Sequence, residues 1–270
     1  MANEPENIDK IKIFLSDPQV LFREGIHFIL SGEEDFEVTG EATSNEDSLA
    51  HIEANPPDIV ILNIQDKKLS GLEAVRLIKR QFPTMSAIMT IAKKDDQQLF
   101  EVIRSGVGAY LTKDTDPERL LDTVRDISQG GLPIVEELLI PEIAVKVLAE
   151  FENVKSLGEG MDNFMASLTP KEIQILNSIA AGNEIEQVSV KLNMNEDSIR
   201  KNLNLILNKL VANGRTRAVI VAVQRSLSSI MTATTGRPKT TTGEYLTQEE
   251  FARFKDSLAK RLQDVAGKTS

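Results

Sequence analysis

The chain contains no cysteine, no tryptophan and only two histidines, His27 and His51. Without cysteine there can be no disulfide scaffold, thiolate zinc site, iron–sulfur cluster or cysteine nucleophile. Two histidines poorly supply a multi-histidine metal centre or a proton relay. Aromatic residues make up 4% of the 270 positions, so any core must be built from Leu, Ile, Val and Ala. No apolar run approaches the roughly 18 residues needed to cross a bilayer. The opening Met1-Ala-Asn-Glu-Pro-Glu is acidic and polar, where a secretory signal would be basic and then apolar. These absences predict a soluble, cytoplasmic protein with no membrane partner, no metal and no cofactor.

What is present suffices for real cores: 41% of residues are hydrophobic against 27% charged, which excludes wholesale disorder. The length fits two folded units with a linker or tail. Net charge is −10 with a pI near 4.9, which taken alone argues against nucleic acid. The distribution argues otherwise: residues 8–131 carry −8, whereas residues 167–225 carry +3. A basic segment inside an acidic chain points to a local function.

The first half alternates strands and helices. Ile11-Lys-Ile-Phe-Leu15, Asp58-Ile-Val-Ile-Leu62, Met85-Ser-Ala-Ile-Met-Thr-Ile91 and Ala109-Tyr-Leu111 are apolar runs. The run at 58–62 is continuous, as expected for a strand buried on both faces. Helical spacing follows at Leu21, Ile26 and Leu30, at Leu72, Val75 and Ile78, and over 95–105. Asp116-Pro117 opens a further helix. Such alternation with short connections predicts an α/β doubly wound parallel sheet of five strands. Its working crevice lies at the carboxyl ends of the strands, where Asp17, Pro18, Asn63, Ala92 and Lys113 fall.

Phe22-Arg-Glu-Gly25, Pro57-Asp-Ile-Val-Ile-Leu62, Gly71-Leu-Glu-Ala74 and Gly108-Ala-Tyr-Leu-Thr-Lys-Asp114 resemble the receiver domain of two-component response regulators. The resemblance covers residues 8–131. It implies a flavodoxin-like fold and phosphoryl transfer onto an aspartate ending the third strand. It also implies a Mg²⁺ held by an acidic pair after the first strand, with a Thr or Ser after the fourth strand and a Lys after the fifth contacting the phosphoryl oxygens. The sequence departs from that pattern where the chemistry happens. The acceptor position is Asn63, whose neutral amide cannot act as a carboxylate nucleophile. The acidic pair is reduced to Asp17 beside Pro18, and the hydroxyl position is Ala92; only Lys113 remains. Losing two of three carboxylates removes most of the attraction for a hard cation. A dead phosphorylation switch is therefore expected, with Asp17 pairing Lys113 across the remnant pocket or a ligand taking its place. Asp66 could in principle receive phosphate instead, but lies three residues past the pocket. His27 and His51 are expected to be surface or packing residues.

Residues 132–166 read as a helix-containing linker, with an acidic stretch from Ile134 to Val154 interrupted at Pro141. From Leu168 the pattern changes to four short helices. Thr169, Pro170 and Glu172 approximate a capping box. The later helices fall at about 184–192, after an Asn195 cap, and from about Thr216. Leu168-Thr-Pro-Lys-Glu172, Ala181-Gly182, Leu207-Asn-Lys-Leu210 and Arg215-Thr-Arg-Ala218 resemble the LuxR-type helix-turn-helix of NarL-like regulators. That resemblance implies an all-α four-helix domain over 167–231 whose third helix enters the major groove of double-stranded DNA. Carried over by position, Arg200, Lys201 and Asn204 are the base-facing candidates, with Lys209 and Arg215 as phosphate partners. Arg and Asn are chemically able to read guanine and adenine. Against this, Glu184 and Glu186 stand near where the DNA backbone would run and would repel phosphates.

Residues 232–243 read as a flexible Thr-rich linker, and 244–270 as a C-terminal helix with a stripe of Phe251, Phe254, Leu258, Leu262 and Val265. No nucleophile–base pair survives, so no enzyme is expected. The expected function is that of a phosphorylation-independent, dimeric DNA-binding transcription regulator. Its pseudo-receiver would set oligomeric state or meet a protein or small-molecule partner. The alternative is an interaction module that has lost DNA binding and modulates other regulators.

Overall fold

The computed structural model describes residues 10–93, 95–155 and 165–235. The chain divides into two compact units, Met1–Arg215 and Thr216–Ser270; every candidate site residue lies in the first. The expected tail helix at 244–270 falls outside the described residues.

Five strands, β1 (Ile11–Ser16), β2 (Phe36–Ala42), β3 (Ile59–Asn63), β4 (Ser86–Ile91) and β5 (Ala109–Thr112), form one sheet in the order β2-β1-β3-β4-β5. All four pairings are parallel. Successive side chains on a strand point to opposite faces, so each central strand feeds two cores. Ile13, Leu15, Ile59, Ile61 and Ile88 meet Ile26 and Leu30 of α1 (Val20–Ser31) and Leu120, Val124 and Ile127 of α5 (Pro117–Ser128). Phe14, Val60, Leu62, Ala87 and Met89 meet α2 (Asn45–Ala54), α3 (Gly71–Gln81) and α4 (Asp96–Ser105) on the other face. All five residues of β3 are buried, which is why Ile59, Val60, Ile61 and Leu62 form an unbroken apolar run before Asn63.

β2 has no counterpart among the strands predicted from the sequence. Only Phe36 and Ala42 of its seven residues are buried, so this edge strand carries too little apolar pattern to announce itself. The helix starts are better marked: Ser44, Ser70 and Asp95 each accept a backbone N–H of the first turn of α2, α3 and α4. At the start of α3 the chain passes so close to the end of β3 that a Cβ on Gly71 would stand 2.6 Å from the Asn63 carbonyl oxygen. Glycine is required there, next to the former acceptor position.

After α5 the chain makes a 3-10 turn at Pro133–Leu139 and continues as α6 (Pro141–Lys155). The apolar cluster on the α3–α4 side of the sheet runs on without a break. It passes through Ile134, Leu138, Ile143 and Val147 into α7 (Pro170–Ala180), α8 (Ile185–Leu192) and α9 (Glu196–Thr235). The expectation of four short helices is corrected here, because the third and fourth are one helix, Glu196–Thr235. This also makes 232–235 helical rather than linker. Two observations explain it. Gly214 keeps a helical backbone, since it is not among the glycines of positive φ; it costs about 1 kcal/mol in a helix interior but does not end the helix. Asn213, a residue type suited to a C-cap, spends its amide elsewhere, exchanging two hydrogen bonds of 2.8 Å with the Ala166 backbone.

Candidate functional site

The receiver crevice brings together Asp17, Asn63 and Lys113, from the ends of β1, β3 and β5. Asp17 and Asn63 are 4% and 5% exposed. The Asn63 amide donates to Asp17 Oδ2 at 2.9 Å, and Lys113 Nζ donates to the same oxygen at 2.6 Å. Asp17 Oδ1 accepts the Gln19 N–H at 2.8 Å, and Asn63 Oδ1 accepts the Gln65 N–H at 2.7 Å. Lys113 Nζ also donates to Gln19 Oε1 at 3.0 Å and stands 4.6 Å from the centre of the Phe22 ring. Pro18 and Ala92 are exposed and contribute no polar group.

Residues around this crevice are hydrogen-bonded to it and to one another. Arg23 Nη1 donates to the Asp17 carbonyl at 2.8 Å, and its Nε to Glu41 at 2.8 Å. His27 Nδ1 hydrogen-bonds the same Glu41 carboxylate. Burial opposes ionisation of Glu41, yet His27 and Arg23 together hold its carboxyl below the usual range. Asn45, fully buried, donates to the Asn63 and Leu69 carbonyls and accepts from Ser16. Asp66 is spent on backbone N–H groups of Asn45, Lys68 and Leu69, which leaves it a loop-fixing residue. Thr90 is buried with its hydroxyl turned to the Leu62 carbonyl at 3.4 Å.

The Mg²⁺ implied by the receiver resemblance does not fit this crevice. Its single carboxylate has both oxygens committed to hydrogen bonds, one of them to an ammonium. Among the described residues no three His, Cys, Asp or Glu side chains stand close enough to hold a metal ion.

In the helical half, the Thr169–Glu172 capping box is complete and Asn195 caps α9, accepting the Ser198 N–H at 2.8 Å. Asn193, at φ 50°, supplies the left-handed residue that turns α8 into α9. The five basic and amide candidates are not presented alike. Lys201 is exposed. Arg200 forms an ion pair with Glu136 of the 3-10 turn. The Asn204 side-chain oxygen is buried with no hydrogen-bond partner. Lys209 binds both oxygens of Glu172, at 2.8 and 2.7 Å, and Glu172 is 1% exposed; a phosphate contact by Lys209 would therefore compete with this pair. Arg215 reaches to Gly106, the left-handed residue that closes α4. There it lies beside Lys79, whose pKa is lowered by burial and by the Arg215 charge. Arg200, Lys201 and Asn204 therefore share a region of α9, but only Lys201 faces solvent freely.

Glu136, Gln19, Phe22 and Asn45 were not marked as site residues by the sequence. Gln19 and Phe22 flank Asp17 and were within reach of inspection. Glu136 stands 64 positions from Arg200, and no local pattern could link the two.

The fold and the crevice thus define a receiver-type α/β domain joined to a helix-turn-helix. Residues 13–125 match the response regulator receiver domain, and residues 166–222 the luxR family of bacterial regulatory proteins. The chain is 30% identical over 221 residues to the uncharacterized transcriptional regulatory protein YxjL of Bacillus subtilis (strain 168), spanning 82% of this chain and 99% of that protein. It is 29% identical over 217 residues to the response regulator protein VraR of Staphylococcus aureus (strain Mu3 / ATCC 700698), spanning 80% and 98%. With the transcriptional regulatory protein DegU of Brevibacillus brevis, identity is 28% over 228 residues, spanning 82% and 97%. The chain belongs to the response regulators that join a receiver to a LuxR-type helix-turn-helix. Its relatives are transcriptional regulatory proteins. No helix among the described residues is long and apolar enough to cross a membrane.

Proposed function

We propose that the protein is a transcription regulator that binds double-stranded DNA through α9 and works without aspartyl phosphorylation. The observation that carries this is Asn63 at the acceptor position, with both ends of its amide already hydrogen-bonded. Without a carboxylate there is no nucleophile for an acyl phosphate. The receiver then acts through packing: its core is continuous with that of α7–α9, so it sets how α9 is presented. Binding DNA requires Arg200 to exchange Glu136 for a phosphate or a base.

The rival function is a protein-interaction module without DNA binding. Exposed Glu184 and Glu186 at the start of α8 favour it, as does the engagement of Arg200 by the chain itself. Retention on heparin separates the two. A DNA-binding protein of net charge −10 elutes only as salt is raised, whereas an interaction module of that charge flows through.

The proposal includes a homodimer, since a helix-turn-helix dimer reads two half-sites a helical turn apart. In the sequence, Phe251, Phe254, Leu258, Leu262 and Val265 recur at helical spacing outside the described residues, an apolar pattern suited to self-association. Sedimentation of the full chain against one ending at Gly236 should show weaker dimerisation in the shorter chain. An unchanged constant would remove the tail from the interface.

A further inference from the structure

We infer that Leu205 is a specificity-determining residue of α9, which meets the C5-methyl group of a thymine in the major groove. α9 buries Ile199, Leu203, Ile206, Leu207 and Leu210, each no more than 3% exposed. At 3.6 residues per turn these five form one stripe. Lys201, Leu205 and Asn208 fall opposite it, within about 60° of arc, and all three are exposed. Leu205 is 52% exposed, and among the described side chains of α9 it is the one large apolar group left in water. The flank holding Arg200 and Asn204 is turned elsewhere: Arg200 is paired with Glu136, and the Asn204 side-chain oxygen is buried. The surface that α9 presents without rearrangement is therefore Lys201, Leu205 and Asn208.

A single exposed leucine on a protein surface is ordinary, so its setting decides. It stands between an ammonium one turn before it and an amide one turn after it. The helix is the one that follows the turn of the helix-turn-helix, the element that lies in the major groove. The apolar face of a protein partner would be poorly matched by one leucine flanked by two polar groups. The major groove matches all three: guanine or phosphate for Lys201, adenine for Asn208 and the thymine methyl for Leu205. That methyl is an apolar group on a base edge, shown in the major groove and not in the minor. Contact with it needs neither charge nor hydrogen bond, and it separates T·A from C·G at one base pair. The inference deepens the DNA-binding reading and rests on it.

The test is fluorescence anisotropy with duplexes recovered by the full chain from a random-sequence pool, each thymine then replaced singly by uracil. That exchange removes one methyl group and leaves the hydrogen-bonding edge of the base in place. The unaltered protein should bind about fourfold more weakly when one particular thymine is exchanged, the equivalent of one buried methyl group. Leu205→Ala should bind the thymine and uracil duplexes alike there, whereas Leu205→Met, which keeps the apolar reach, should retain the preference. Neither variant removes a charge, so the slope of log affinity against log salt should not change. The side chain lies outside the core and alanine is the strongest helix former, so the fold should survive. Tolerance of uracil at every thymine, or an undiminished preference in Leu205→Ala, would overturn the inference while salt-dependent binding leaves the DNA-binding reading standing. Recovery of no duplex at all would overturn both.

Discussion

Replacing Lys209 with methionine should lower the unfolding free energy by about 3 kcal/mol, the usual cost of leaving one member of a buried ion pair without its partner. Glu172 is almost fully buried, and both its oxygens are held by Lys209. One of them also accepts the Thr169 N–H at 2.7 Å, closing the cap of α7. Methionine keeps the length and apolar stem of lysine while removing the charge, so the loss reports on the pair more than on packing. The pH dependence has a definite sign. Burial opposes ionisation of Glu172, but Lys209 and Thr169 outweigh it and hold the carboxyl below its usual value. A depressed folded value means stability that is present above the unfolded carboxylate pKa of about 4.3. That stability is lost as pH falls through the folded value. In Lys209→Met the burial penalty prevails, the carboxyl moves up, and the defect should shrink as pH is lowered from 7 towards 5. Urea unfolding at the two pH values checks this. A variant of unchanged stability that binds DNA less well would return Lys209 to the role of phosphate partner.

Alanine at Arg200 or Lys201 should weaken duplex binding by about 1–3 kcal/mol where the side chain meets a base edge, with relaxed preference at that base. Where it meets only phosphate, all sequences should weaken alike, and the slope of log affinity against log salt should fall by about one unit. The two residues start from different states. Lys201 is already exposed, so its loss is a loss of contact alone. Arg200 must first leave Glu136, so part of its contribution is spent within the chain. Glu136→Gln removes the competing carboxylate and should strengthen binding, the reverse of Arg200→Ala. Fluorescence anisotropy with mixed-sequence duplex at several salt concentrations distinguishes these outcomes. Unchanged binding in the Arg200/Lys201 double variant, with the fold intact, would favour the interaction module.

The sequence announced those parts whose physics is local. β3 is buried on both faces and reads as four consecutive apolar residues before Asn63; the α7 cap is complete within Thr169–Glu172. The departures from the receiver pattern at Asn63, Pro18 and Ala92 are visible as single letters. What stayed hidden depends on distant partners. β2 is an edge strand whose exposed Glu37 and half-exposed Thr39, Gly40 and Glu41 blur its alternation. The length of α9 turns on Asn213 being captured by Ala166, far from the helix in sequence. The restraint on Arg200 comes from Glu136, placed by the linker turn. Charge type could be read from the chain, but not which charges were already spent.

Central to the proposed function is DNA binding that owes nothing to an acyl phosphate. The direct measurement is duplex affinity of the full chain before and after incubation with acetyl phosphate and Mg²⁺, with intact mass recorded on the same samples. The expected result is salt-dependent binding that is identical in both samples and no mass gain. A gain of one phosphoryl group mapped to residues 60–68, accompanied by a change in affinity, would contradict it.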